Sequence, residues 1–175
     1  MIVGLTGPIA AGKTTAARFL HGFLYYTYSD ILRAEAKKRG IPETRENLQK
    51  LGTDLKKGNP GILSELILSQ AKGKDVVADG IRTTDEIDAL RKAGNAVIIG
   101  ITADQEIRYK RLLLRQRKGD PSSFQEFLRI DNAENSGARE GQNIAACLSK
   151  ADALIENNGM VEEFKEKFLL LLGRE

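Results

Sequence analysis

Gly7-Pro8-Ile9-Ala10-Ala11-Gly12-Lys13-Thr14 has the spacing G-x-x-x-x-G-K-[ST]. Glycines at the two ends let backbone N–H groups turn inward around phosphate oxygens, which is the chemistry of a triphosphate cradle. Lys13 is then within reach of the β- and γ-phosphates, and the Thr14 hydroxyl can ligate Mg²⁺. Thr15 follows in the set of residues, Gly7 to Thr15, expected to line the nucleotide. ATP and Mg²⁺ are the cofactors this pattern implies. A second chemical position is Asp79, an acid closing the apolar run Val76-Val77-Ala78. Beside a phosphate loop, a strand-ending carboxylate is placed to hold Mg²⁺ directly or through water, so Thr14 and Asp79 form the expected metal pair. A third is the basic run from Arg108 to Lys118, which contains Arg111, Arg115 and Arg117. Guanidinium groups grip phosphate with a fork of donors that an ammonium lacks.

These residues need a scaffold that brings strand ends together. Apolar runs recur at Ile2–Thr6, roughly Phe23–Tyr28, Val76–Asp79, Ala96–Ile101 and Ala153–Glu156, with helical patterns between them. Such alternation predicts an α/β fold of three layers, a five-stranded parallel sheet with helices on both faces. Ligands in these sheets bind at the carboxyl ends of the strands, where the glycine loop falls. Asn59-Pro60 predicts a helix start, and Thr83-x-x-Glu86 a capping box. Val161, Phe164, Phe168, Leu171 and Leu172 predict an apolar stripe on a C-terminal helix. Residues 30–72 and about 108–131 exceed a bare alternation and are expected to be helical insertions above the binding edge.

The chain has 175 residues, enough for one domain, 1–175, with a substantial core. A formal charge of +3 fits an arginine-rich phosphate site as well as nucleic acid, and no basic patch interleaved with aromatics appears. Nucleic acid is therefore not the expected partner. The single cysteine, Cys147, excludes an intramolecular disulfide and reads as a buried apolar residue. No run is long enough to span a membrane, and no leader is read at the N-terminus, so a cytoplasmic protein is expected.

Together with the glycine loop, four stretches resemble the nucleoside monophosphate kinase family, adenylate kinase-like, and the related dephospho-coenzyme A kinases. Tyr28-Ser29-Asp30-Ile31-Leu32-Arg33 resembles the T-G-D-M-L-R segment, and Asp79-Gly80-Ile81-Arg82 the D-G-F-P-R signature without its proline. The resemblance implies that Arg33 and Arg82 clamp an acceptor phosphate, with Asp30 beside them. Ser29 and Asp30 are also expected to cap the helix that carries Arg33. The basic run resembles the start of a lid, which implies that Arg115 and Arg117 act on the transferring phosphoryl group, with Arg111 and Arg129 behind them. Lys150 to Gly159 resembles the A-D-x-x-I-x-N-x-G strand and turn of dephospho-coenzyme A kinases, which faces the donor's adenine in related folds.

Glu86 has two readings. By alignment it falls where adenylate kinases read adenine, and a carboxylate there would favour an amino-bearing base edge over that of AMP. It is equally the capping-box partner of Thr83. Three functions remain open to different extents. A small-molecule kinase with a phosphorylated acceptor, most simply a nucleoside or deoxynucleoside monophosphate, accounts for every motif, with dephospho-coenzyme A as the alternative acceptor. An ATP-binding module or ATPase acting on nucleic acid or a protein partner uses the loop alone. A regulatory GTPase requires D-x-x-G and N-K-x-D patterns, and neither occurs in the sequence.

Overall fold

The computed structural model describes residues 1–116, 120–137 and 142–174. Five strands alternate with nine helices among these residues. They are β1 (Ile2–Thr6), α1 (Lys13–Arg18), β2 (Leu24–Thr27), α2 (Tyr28–Lys38), α3 (Arg45–Lys56), α4 (Ile62–Ala71) and β3 (Val76–Ile81). There follow α5 (Thr84–Lys92), β4 (Ala96–Thr102), α6 (Gln105–Arg115), α7 (Phe124–Asn135), α8 (Ile144–Ser149), β5 (Ala153–Glu156) and α9 (Val161–Leu171).

All strand pairs are parallel, in the order β2-β3-β1-β4-β5. The chain runs from β1 to one edge and back through β3, then crosses to β4 on the other side. The resulting crevice lies at the carboxyl ends of β1 and β3, where the glycine loop and Asp79 are. β1 is buried along its whole length, as a central strand covered on both faces must be. Its alternate residues feed two cores. Ile2 joins Ile31, Leu63, Ile67, Ile87, Leu90 and Ile98 beneath α2, α4, α5 and α8. Val3 and Leu5 join Ala16, Ile99, Ile155, Phe164 and Phe168 beneath α1 and α9. Cys147 is buried in the first core, as expected.

Several local expectations shift by a turn or less. α2 begins at Tyr28, and its cap is Thr27, whose hydroxyl accepts from the Asp30 N–H at 3.0 Å, rather than Ser29 or Asp30. α4 begins two residues beyond Pro60, because Asn59 Oδ1 accepts from the Gly61 N–H at 3.1 Å and turns the chain first. The stripe on α9 is narrower than its periodicity predicts. Phe164 and Phe168 are buried and meet Phe19 edge-on, whereas Val161 and Leu171 are about half exposed. The Thr83 capping box is present in both directions.

No helix among the described residues is long and apolar enough to cross a membrane.

Candidate functional site

The loop after β1 takes a backbone path with positive φ at Gly7 (137°), Ala10 (61°) and Gly12 (114°). Gly7 has no alternative residue, since a Cβ there would strike the Ile101 carbonyl of β4. Lys13 folds back over the loop, donating to the Gly7 carbonyl at 2.7 Å and the Pro8 carbonyl at 2.8 Å. Burial lowers its pKa to about 8; Asp79 and Glu134 oppose that shift, and Arg82 and Arg108 add to it. Those four charges act on one lysine from three parts of the chain, the end of β3, α6 and α7.

Asp79 sits near the end of β3, opposite Leu5. After it the register slips, so that Thr6 pairs with Ile81, and Gly80 takes up the slack at φ 98°. The bulge explains the Asp-Gly pair. Asp79 serves the crevice while Ile81 returns to the core, and the path to Arg82 needs no proline. Asp79 Oδ2 accepts from Thr14 Oγ1 at 3.1 Å and from the Tyr25 hydroxyl at 2.7 Å. Burial, followed by the Asp79 charge, pushes the Tyr25 phenol up. The described residues hold no cluster of three or more His, Cys, Asp or Glu side chains. Two hard oxygen donors beside a phosphate loop do fit Mg²⁺, which takes one or two carboxylates and completes its shell with phosphate oxygens and water.

Beyond Asp79, the Arg82 N–H donates to Glu86 Oε2 at 2.8 Å, and the Arg82 carbonyl accepts from Asn143 N–H at 2.8 Å. The Arg82 side chain reaches Glu134 on α7 at 3.3 Å and Gln142 at 2.9 Å, with 45% of it exposed. Glu86 is where sequence and structure part. It is 1% exposed, its Oε2 caps α5, and its Oε1 pairs with Lys56 at 2.7 Å. Both oxygens are engaged inside the protein, so the base-reading role falls and the expectation against AMP falls with it.

The other predicted arginines differ in their surroundings. Arg33 is held on α2 by Ser29 at 3.3 Å and Asp30 at 3.2 Å. Asp30 is thereby the partner of Arg33. Arg115, at the end of α6, makes a two-pronged pair with Asp120 at 2.9 and 2.7 Å. Arg117 lies outside the described residues. Arg111 turns the other way, donating to the Asn157 carbonyl at 2.8 Å behind the loop.

Four residues around the loop and Asp79 carry no role of their own in the reading of the sequence. Tyr25 is one, an aromatic in an edge strand with nothing local to mark it. Arg108 and Asp131 are two more: they form a buried fork at 2.7 and 2.8 Å, and Arg108 also reaches the Ile9 carbonyl of the loop at 3.2 Å. The signal was present as an arginine in the first turn of a charged helix, but its partner lies 23 residues away. Asn157 is the fourth. Its Nδ2 donates to the Ala11 carbonyl at 2.8 Å, buried behind the loop rather than open to a base.

A parallel sheet in this order, a phosphate loop after its central strand and a carboxylate on the neighbouring strand define a P-loop protein of the kinase-type fold. Residues 6–129 match the AAA domain family. A UPF0200 protein of Pyrobaculum aerophilum is 36% identical over 170 residues, covering 95% of this chain and 93% of that one. The UPF0200 protein of Hyperthermus butylicus is 31% identical over 178 residues, covering 99% and 92%. The chain belongs to the UPF0200 family and carries the AAA domain. Among solved structures, it is similar to shikimate kinase from Acinetobacter baumannii in complex with shikimate, with a TM-score of 0.62 at 17% identity over 98% and 92% of the two chains. A gluconokinase from Sinorhizobium meliloti gives 0.57 at 12% identity over 98% and 90%. The Deinococcus radiodurans tunicamycin resistance protein gives 0.62 at 16% over 99% and 96%. At these identities the likeness is one of fold.

Proposed function

We propose that this protein transfers the γ-phosphoryl group of ATP to a small phosphorylated acceptor, most simply a nucleoside or deoxynucleoside monophosphate. One observation carries the reading. The phosphate loop with Thr14 and Asp79 lies around the Lys13 ammonium, and Arg82, three residues beyond Asp79, is near enough for its charge to act on Lys13, which supports reading them as the two halves of one transfer site. An ATPase needs the first half only. The solved kinases of similar fold named above also act on small molecules, as their names state.

In this reading Lys13 exchanges the Gly7 and Pro8 carbonyls for the β- and γ-phosphate oxygens. Thr14 and Asp79 hold Mg²⁺, which when bound neutralises phosphate charge and orients the transferring group. Arg82 and Arg33 grip the acceptor phosphate, and Arg115 with Arg117 closes over the transferring group, where charge is spread over the equatorial oxygens. The whole chain, 1–175, is one kinase unit, with residues 30–72 as its acceptor side and 108–131 as its lid. An ionised phosphate acceptor needs no base, so positioning and charge account for the catalysis.

The test is a coupled ADP-release assay across the nucleoside and deoxynucleoside monophosphates and dephospho-coenzyme A, repeated with RNA and DNA. ADP formation that depends on one of the small acceptors is expected. Formation stimulated only by nucleic acid would replace this reading with the ATPase.

A further inference from the structure

The outer side of the phosphate loop is as ordered as its inner side. Ile9 C=O points at Arg108 Nη1, 3.2 Å away, and Ala11 C=O at Asn157 Nδ2, 2.8 Å away, with Arg111 Nη1 at 3.5 Å. A trans peptide is planar, and its C=O and the following N–H point in opposite directions. Fixing the two carbonyls outward therefore fixes the Ala10 and Gly12 N–H groups inward. Among the described residues neither of those N–H groups has a hydrogen-bond acceptor. Ala10 needs the support, because it is a non-glycine residue at φ 61°. Asn157 is packed so closely that a Cβ on Gly12 would collide with its Nδ2.

Each pin is itself anchored. Arg108 is 3% exposed, and its remaining donors go to Asp131, with two prongs, and to the Ala103 carbonyl at 2.8 Å. Phe127 of α7 lies under the guanidinium at 5.3 Å. Asp131 also takes Gln105 at 3.0 Å, which leaves Arg108 little freedom to turn. Asn157 follows β5 directly, and its N–H donates to the Thr102 carbonyl at 2.8 Å. Arginine and asparagine here come from the two segments that flank the loop, α6 and the β5 turn.

We propose that Arg108 and Asn157 are positioning residues which aim the Ala10 and Gly12 amides at the donor's phosphate chain. They touch no phosphate themselves. Without them, the Ile9–Ala10 peptide loses its outward anchor and the Ala11–Gly12 peptide keeps only the long Arg111 contact, and rotation of either turns a carbonyl toward the anion in place of an N–H. The inference rests on the loop's being the phosphate site, as proposed above, but not on transfer to any acceptor.

The test uses the full chain and inorganic tripolyphosphate, which reports on the loop without a base or an acceptor. In ¹⁵N-labelled wild-type protein, tripolyphosphate should shift the Ala10 and Gly12 amide resonances downfield. If it binds and moves neither, the proposal is overturned whatever any variant does. Arg108→Lys and Asn157→Ser, each shown to be folded by the dispersion of its amide spectrum, should weaken tripolyphosphate binding by about tenfold or more and lose those two shifts, as expected for the removal of a preorganised donor. Wild-type affinity in both folded variants would reduce these residues to packing. Failure of every acceptor in the kinase assay, with these results intact, would overturn the kinase reading alone.

Discussion

The same chemical pair occurs on both sides of the crevice with opposite consequences. On the proposed donor side the side chains of Arg108 and Asp131 are 4% and 1% exposed; on the proposed acceptor side those of Arg82 and Glu134 are 45% and 10% exposed. Breaking a buried pair strands a charge and costs about 3–5 kcal/mol. Arg82 is held more loosely, since its guanidinium is nearly half open to water, its contact with Glu134 is longer at 3.3 Å, and Gln142 shares it. Arg108 is therefore fixed in place, and Arg82 has the freedom to turn to a phosphate that the proposed function requires. The Arg115 side chain, at 29%, stands between the two arginines, and its partner Asp120 is 15% exposed. The phosphate loop is held in its path by contacts within the protein, whereas Arg33, Arg82 and Arg115 are held by carboxylates that, in the proposed function, a phosphate would replace. Burial, more than residue type, separates the two roles.

The largest effect should come from the assembled side. Lys13→Ala removes the one cation inside the loop, and losing a single preorganised donor to developing charge costs about 10²–10³ in rate, so turnover should fall by at least that much in the coupled assay. The fold should persist in the circular dichroism spectrum, because Lys13 is a ligand of carbonyls, not part of the core. Wild-type turnover in the variant would detach the chemistry from the loop.

On the exchangeable side the arginines should divide by kinetic parameter. Arg33→Ala with Arg82→Ala should raise the acceptor KM by tenfold or more and leave the ATP KM within about twofold, since uniform binding is lost on one substrate only. Arg115→Ala should lower kcat and kcat/KM together, the sign of a contact made in the transition state. A rise in ATP KM alone for Arg115→Ala would return that residue to simple binding and blur the contrast.

A smaller effect follows from Lys13 itself. Burial holds its pKa near 8 in the free protein, below its ordinary value of 10.5. Bound phosphates favour the ammonium and raise the pKa again. Nucleotide binding at about pH 8 should therefore take up a fraction of a proton, measurable by titration calorimetry in buffers of different ionisation enthalpy. Affinity should decline as the pH rises through 8. In the free protein the sign is reversed. The unfolded chain holds this proton up to pH 10.5 and the folded one releases it near 8, so stability gains from this group between those values. Calorimetry that shows no uptake near pH 8, in wild-type protein that binds ATP, would mean that Lys13 is not the residue meeting the phosphates.

What was legible in the sequence was what is local. The phosphate loop, the Asp79-Gly80 strand end and the Thr83 cap each fit within eight residues, and each is found where its spacing places it. The alternation of strands and helices predicts a parallel sheet, but the order of its strands comes from the structure. Glu86 shows the limit, because one position answered two local patterns and only the Lys56 contact, 30 residues away, decides between them. Arg108 and Asn157 show it again. Their partners are backbone carbonyls of the loop at separations of 99 and 146 residues, and a carbonyl leaves no mark in a sequence. Tyr25 was hidden for the same reason, as its partner Asp79 is brought to it by strand pairing.

The most direct test of phosphoryl transfer is to follow the γ-phosphoryl group by ³¹P NMR, with wild-type protein, ATP, Mg²⁺ and each acceptor in turn. With the right acceptor the γ-resonance of ATP should decline while that of a phosphorylated acceptor grows in equal measure, a terminal diphosphate if the acceptor is a monophosphate. Loss of the γ-resonance to inorganic phosphate alone, at a rate no acceptor changes, would contradict it.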